Sequence, residues 1–145
     1  MDKAAQKQIL IIEDDETFRN MLTLSLELNG YRVITAQDGL EGLKIAREET
    51  PDLILLDLTL PETTNSNNAQ ILDQNMGHKV CRMIKFDRKL AHIPVLILTG
   101  SDSYKDIELA RKFGADAYVV KTAEHELILD AIRSMLEKRS IFIVK

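Results

Sequence analysis

Short apolar runs alternate with amphipathic stretches along the whole chain, and this alternation limits the possible folds more than any other feature. The apolar runs are residues 8–12, 32–35, 53–56, 95–98 and 117–120. Short runs that are apolar at nearly every position are typical of parallel strands buried on both faces. Each run is followed by hydrophobic residues at helical spacing. The repeated order of strand and helix predicts one doubly wound α/β domain with right-handed crossovers, built from five strands and five helices.

Length and charge narrow the class of protein further. A chain of 145 residues fits one domain with one core, and its net charge of −4 argues against a nucleic-acid-binding surface. No apolar run approaches the roughly 18 residues that a membrane span requires. The polar N-terminus lacks the apolar stretch of a signal peptide. We therefore expect a cytoplasmic protein that binds neither membrane nor nucleic acid directly.

Two segments depart from the plain alternation. Residues 62–76 form a polar insertion between the third strand and the third helix, where connections usually run about 2–6 residues. We expect a loop there, within a domain that covers residues 1–139. Residues 140–145 form a tail that is apolar at 141–144. This tail could pack on the domain, pair with another chain or begin a linker to a further domain.

Polar side chains follow four of the five predicted strands. Glu13 and Asp14 follow the first strand, Asp57 the third, Thr99 the fourth and Lys121 the fifth. Ligands of open α/β sheets bind outside the carboxyl ends of the strands, where the strand order reverses. We therefore expect these five side chains to lie around one site.

The residue types at these strand ends suit phosphoryl chemistry. Three bare carboxylates would repel one another, and a hard divalent cation such as Mg²⁺ (or Mn²⁺) would relieve this repulsion. A carboxylate can also act as a nucleophile and form an aspartyl phosphate. Asp57 is the best candidate because the buried strand before it fixes its backbone. The cation, Lys121 and the Thr99 hydroxyl would each hold one phosphoryl oxygen.

Each of these residues also has an ordinary structural interpretation. Asp14 or Asp15 could cap the first helix, and Thr99 could begin the fourth. Lys121 alone could be a solvated lysine, and Asp57 alone could be a loop carboxylate. Tyr118, in the strand before Lys121, could be a plain core aromatic. The histidines fall on or near predicted helices, and we interpret them as surface or packing residues: His78, His92 and His125. The placement of the polar residues at four strand ends favours the functional interpretation.

The motifs around these residues resemble the receiver domain of two-component response regulators, the CheY-like family. The motifs are Ile-Ile-Glu-Asp-Asp at 11–15, Leu-Leu-Asp-Leu-Thr-Leu-Pro at 55–61, Leu-Thr-Gly at 98–100 and Gly-Ala-Asp-Ala-Tyr-Val-Val-Lys at 114–121. The resemblance spans residue 8 to about residue 136. It implies a flavodoxin-like sheet with the strand order 2-1-3-4-5.

The resemblance also implies a role for each site residue. Asp57 would be the phosphorylated residue. Asp14, Asp57, Glu13 and the backbone carbonyl of Thr59 would hold the metal. Thr99 and Lys121 would bind the phosphoryl oxygens.

For signalling, the resemblance implies that Thr99 and Tyr118 act as the switch. Thr99 would be drawn toward the phosphoryl group, and Tyr118 would turn inward. The family takes its phosphoryl group from a sensor histidine kinase or a histidine phosphotransfer protein. It is not a conventional enzyme, although slow magnesium-dependent self-phosphorylation and autodephosphorylation are expected. The signal would pass to a downstream protein or to an output domain, and a homodimer is possible.

Two features depart from the family pattern. Thr122 stands where the family usually has a proline preceded by a cis peptide bond. Because a cis bond before a residue other than proline costs about 2.5–4 kcal/mol, we predict a trans bond between Lys121 and Thr122. The second departure is the insertion at 62–76, which could shield the phosphoryl group, select a partner or be a tolerated surface loop.

Two other functions compete with this interpretation. A phosphatase of the haloacid-dehalogenase type also uses an aspartyl nucleophile, but it usually has a second acid two residues later, where this chain has Thr59. The other alternative is an interaction module that keeps the fold without phosphorylation. The complete set of acids, hydroxyl and lysine argues against that module.

Overall fold

The computed structural model describes residues 6–64, 70–72, 76–137 and 143–144. The strands are β1 (Gln8–Ile12), β2 (Arg32–Ala36), β3 (Leu53–Leu56), β4 (Pro61–Thr64), β5 (Gln70–Leu72), β6 (Val95–Thr99), β7 (Ala117–Val120) and β8 (Ile143–Val144). The helices are α1 (Glu16–Leu28), α2 (Gly39–Glu49), α3 (Met76–Phe86), α4 (Tyr104–Lys112) and α5 (His125–Leu136). None of these helices is long and apolar enough to cross a membrane.

The main sheet confirms the predicted topology and extends it by one strand. Its order is β2-β1-β3-β6-β7-β8, and every neighbouring pair is parallel. The first five of these strands are the predicted ones in the order 2-1-3-4-5. The apolar tail supplies the sixth, because Ile143 pairs with Tyr118 and Val144 with Val119. Three arrangements were considered for the tail. The described residues of the tail, Ile143 and Val144, pack on the domain's own sheet.

The insertion contains more regular structure than the expected loop. β4 and β5 pair in an antiparallel hairpin, in which Thr64 lies opposite Gln70 and Pro61 opposite Leu72. The expectation of an irregular segment from 62 to 76 is therefore wrong at both ends, since Met76 already begins α3. The adjacent β-branched residues Thr63 and Thr64 and the Gln-Ile-Leu run support strands, but the polar stretch between them obscured that signal. Residues 65–69 and 73–75 lie outside the described part of the chain.

Both faces of the sheet are buried, which explains why the strands are apolar at nearly every position. Alternate residues of β1 point to opposite sides: Leu10 and Ile12 belong to one hydrophobic cluster, and Ile9 and Ile11 to the other. The first cluster includes residues of α2, α3 and α4. The second includes residues of α1 and α5. This packing leaves the carboxyl ends of the strands as the place where polar side chains gather.

The first turn of α3 lies directly against the loop that carries the third strand's acid. The Gly77 amide donates to the Leu58 carbonyl at 3.2 Å. A Cβ atom at Gly77 would lie 2.3 Å from the Leu58 Cα and 2.6 Å from the Asp57 carbonyl oxygen. Because these are backbone atoms, they cannot move aside as a flexible side chain would.

We therefore expect Gly77→Ala to destabilise the fold by about 1–3 kcal/mol, the usual cost of overpacking. Gly100→Ala is the matched control, because nothing lies within 4 Å of its added Cβ. The control should stay within about 0.5 kcal/mol of the parent protein. Urea unfolding midpoints at equal m-values measure both changes. Equal midpoints for the two variants would contradict the close contact at Gly77.

Candidate phosphoryl-acceptor site

The sheet register brings the predicted acids together. Ile12 and Leu56 are partners across β1 and β3, so residues 13 and 57 leave the sheet side by side. The Asp57 amide continues this pairing by donating to the Ile12 carbonyl at 3.1 Å. One carboxylate oxygen from each of Glu13, Asp14 and Asp57 lies within 4.8 Å of the others. Three acids that are separated in sequence thus form one cluster.

Both carboxylate oxygens of Asp57 are held by hydrogen bonds. Oδ1 accepts from the Thr59 amide and from the Thr59 hydroxyl, each at 3.2 Å. Oδ2 accepts from the Lys121 ammonium at 3.1 Å. Asp57 is only 3% exposed. Its carboxylate is therefore fixed in direction at the bottom of the cluster.

Glu13 is the most perturbed acid of the cluster. It is 2% exposed, and its Oε1 lies 2.5 Å from the Lys121 Nζ. Burial, the largest cause, and the neighbouring Asp57 together raise the pKa of Glu13 to about 8, even though Lys121 acts in the opposite direction. Without a metal, Glu13 therefore retains a proton well above the usual range of a carboxyl group.

Lys121 is the cation that the buried acids share. Burial lowers its pKa, but its bond to Glu13 and the charge of Asp57 outweigh this effect, so the net pKa is raised. The ammonium therefore stays charged beside the acids. The chain contains no cis peptide bond among its described residues, so the bond between Lys121 and Thr122 is trans, as predicted.

The two acids that were candidates for helix capping have separate positions. Asp15 is the N-cap of α1, and its side chain accepts from the Phe18 amide at 3.0 Å. Asp14 is left to the acidic cluster. The Arg19 guanidinium donates to the Glu13 carbonyl at 2.8 Å, which ties the loop to α1. The capping alternative therefore applies to Asp15 and not to Asp14.

Thr99 ends β6 and is 1% exposed. The Lys121 amide donates to its backbone carbonyl at 2.7 Å, which links the ends of β6 and β7. Ser103, and not Thr99, is the N-cap of α4. The Thr99 hydroxyl is thus not used as a cap.

Tyr118 already lies fully inside the domain, with 0% exposure, so the expected inward turn does not start from this conformation. Its hydroxyl donates to the Ser101 carbonyl at 2.8 Å, in the loop between β6 and α4. Burial raises the pKa of Tyr118 to about 12, so the phenol keeps the proton that it donates. The residue predicted as a switch is therefore bonded to the loop that follows Thr99.

This loop extends into a polar network that the sequence did not reveal. The Ser101 hydroxyl donates to Asp106 at 2.6 Å, and another oxygen of Asp106 lies 3.7 Å from the Nε2 atom of His78. His78 is 4% exposed, and its Nδ1 atom has no hydrogen-bond partner. Burial lowers the pKa of His78, although Asp106 opposes this shift. The interpretation of His78 as a packing residue holds, but its link to Asp106 depends on the contact between two helices.

Comparison with known proteins identifies the class. The family model for the response regulator receiver domain matches residues 9–133, and the chain belongs to this family. Its fold is that of the solved CheY-like receiver domain protein from Methanospirillum hungatei, with a TM-score of 0.78 and 26% identity over 92% of this chain and 96% of that one. The predicted resemblance is thereby confirmed.

Two curated relatives show how the family domain is used in different proteins. The polar-differentiation response regulator DivK of Brucella ovis is 35% identical over 90% of this chain and 96% of its own length. The transcriptional regulatory protein AfsQ1 of Streptomyces coelicolor is 38% identical over 90% of this chain, which spans only 51% of that protein. The chain is thus similar both to a relative of its own length and to half of a longer regulator.

The raised pKa of Glu13 leads to a testable dependence of stability on pH. The folded pKa of about 8 lies above the ordinary value of 4.5 for a glutamate carboxyl group, so the folded state binds the proton more tightly than the unfolded state. The free energy of unfolding of the metal-free protein should therefore fall as the pH rises between these two values. Urea unfolding in EDTA measures this slope. Glu13→Gln should flatten it, and an unchanged slope in that variant would contradict the assignment.

Proposed function

We propose that this chain accepts a phosphoryl group on Asp57 and transmits the change to a protein partner. The observation that carries the proposal is the contact of Asp57 with Lys121 within a cluster of two further acids. A sensor histidine kinase or a histidine phosphotransfer protein would be the donor. Membership of the receiver family supports this choice of donor class.

The acidic cluster fits a hard divalent cation. Its carboxylate oxygens lie within 4.8 Å of one another, and oxygen atoms are the ligands that Mg²⁺ prefers. Asp14, Asp57, Glu13 and the backbone carbonyl of Thr59 would hold Mg²⁺ (or Mn²⁺). When bound, the cation supplies positive charge to the transferring phosphoryl group. The buried position of Glu13 and Asp57 favours this role, because the cluster has more carboxylates than cations.

The chain's own residues would prepare Asp57 for transfer. Thr59 and Lys121 fix the direction of its carboxylate. A carboxylate oxygen of Asp57 attacks phosphorus, and the bond between phosphorus and the donor atom breaks. The electron pair of that bond leaves with the donor group. Lys121 and the Thr99 hydroxyl would then bind phosphoryl oxygens. Attack by water on phosphorus would later release inorganic phosphate and restore the carboxylate.

The signal would travel through the loop between β6 and α4. Thr99 begins this loop, and Tyr118 is bonded to Ser101 within it. A shift of Thr99 toward the phosphoryl group would displace Ser101, and Tyr118 and α4 would repack with it. The two residues proposed as the switch, Thr99 and Tyr118, thus act on one segment of the chain. A BeF3-activated structure is known for the receiver domain of Klebsiella pneumoniae RstA, which is 25% identical to this chain with a TM-score of 0.73. This likeness supports beryllofluoride as a substitute for the phosphoryl group in a test of the switch.

The output would be a contact with protein. The chain would act on a downstream protein, or it would work within a longer regulator through an output domain. The match to only 51% of the length of AfsQ1 supports the second form. A homodimer is a further form that the signalling state could take. We expect these events in the cytoplasm.

A direct test follows the mass of the protein. Incubation with acetyl phosphate and Mg²⁺ should add one phosphoryl group, because Asp57 is the acceptor and the acetate leaves. The adduct should be labile, and intact-protein mass spectrometry detects it. Asp57→Asn should show no adduct, and omission of Mg²⁺ should strongly reduce it. An adduct of equal size in Asp57→Asn would overturn the assignment, whereas no adduct on the parent chain would favour a phosphorylation-silent module.

A second test separates uptake from switching. Tyr118→Phe removes the hydroxyl that bonds to Ser101 but keeps the buried ring. We expect unchanged phosphoryl uptake and smaller amide chemical-shift changes at residues 101–106 when beryllofluoride is added. Heteronuclear NMR measures these changes. Loss of uptake in the variant would contradict the division between acceptor and switch.

A further inference from the structure

The Lys121 ammonium has a third neighbour besides the two carboxylates. Its Nζ atom lies 4.5 Å from the centroid of the Phe18 ring, within the range of a cation–π interaction. We propose that Phe18 is a positioning residue, whose ring holds Lys121 in place for phosphoryl transfer to Asp57. This inference rests on the proposed function of Asp57 and extends it to a residue that the strand-end pattern could not reveal.

Lys121 needs such positioning because its side chain is long and flexible. An ammonium on a four-carbon stem is a point charge without the fixed geometry of a guanidinium. The side chain is 23% exposed, so water competes for it. Within the described residues, its polar side-chain contacts are to Glu13 and Asp57. Both of these are acids that a divalent cation would also attract.

Phe18 is well fixed and can act as a platform. It lies in the first turn of α1, and its amide donates to the capping Asp15 at 3.0 Å. Its ring packs against the hydrophobic cluster that includes Ile9 and Ile11 of β1. The ring is therefore held by the same strand and helix that present the first acids.

The ring attracts the ammonium without adding charge to the site. A fourth carboxylate would increase the repulsion within the cluster and would compete with Glu13, Asp14 and Asp57 for the metal. An aromatic face attracts a cation through its quadrupole and remains neutral. If a divalent cation engages Glu13, the contact between Lys121 and Phe18 persists. The ammonium then stays beside Asp57, where a phosphoryl oxygen requires it.

The alternative is that Phe18 contributes only apolar packing, and fluorination separates the two roles. Trifluorophenylalanine has nearly the shape of phenylalanine but a much weaker quadrupole. Placed at position 18, it should slow phosphoryl uptake from acetyl phosphate about threefold to tenfold, the range expected for losing a partly buried cation–π contact. Phe18→Leu should slow it similarly, whereas Phe18→Tyr should retain the parent rate. The same fluorinated residue at the exposed Phe86 of α3 is the matched control and should have no effect.

Two further measurements do not depend on the rate of phosphoryl uptake. The ε-methylene protons of Lys121 should resonate upfield in the parent protein because of the ring current, and Phe18→Leu should remove this shift. Calorimetry should give the same Mg²⁺ affinity for the parent and fluorinated proteins, since the ring is not a ligand. A parent rate in the fluorinated protein, or a weakened Mg²⁺ affinity in it, would overturn the positioning role. Failure of the parent protein to take up phosphoryl would instead refute the proposed function itself.

Discussion

The site depends on one half-buried ammonium that lies beside two buried carboxyl groups. Lys121 lies within hydrogen-bonding distance of both Glu13 and Asp57, which are 2% and 3% exposed. Burial of a carboxylate without a partner is costly, so the cluster requires either a proton or a cation. The raised pKa of Glu13 shows that one lysine does not fully compensate these acids. Under the proposed function, a divalent cation would supply the missing positive charge, and the site would then tolerate a phosphoryl group.

The sheet supplies this arrangement because its strands end together. The pairing of Ile12 with Leu56, and of Thr99 with Val120, sets the acids and the lysine at one edge. Separate residues cap the helices that follow these strands. Asp15 caps α1 and Ser103 caps α4, so neither Asp14 nor Thr99 serves as the cap of these helices. The ring of Phe18 adds a neutral contact for Lys121 from the side of α1.

The same strands connect the site to possible signalling surfaces. Tyr118 of β7 reaches the loop between β6 and α4, and from there hydrogen bonds lead through Ser101 to Asp106. β8 pairs with β7 on its outer edge, beside Tyr118. The sheet edge next to Tyr118, the proposed switch residue, is therefore paired with β8. A movement of Tyr118 would therefore alter the contacts of both α4 and β8.

The sequence by itself determined the alternation of five strands with five helices and the polar residues at the strand ends, because burial on both sheet faces follows from local pattern. The strand order 2-1-3-4-5 followed from the resemblance to the receiver family and not from periodicity. The sequence could not determine the β4–β5 hairpin or the sixth strand, since polar or very short strands have no distinct periodicity and form only against a partner. The contacts of Phe18 with Lys121 and of His78 with Asp106 were likewise decided by tertiary structure. These residues are far apart in the chain, and only the packing of helices on the sheet brings them together.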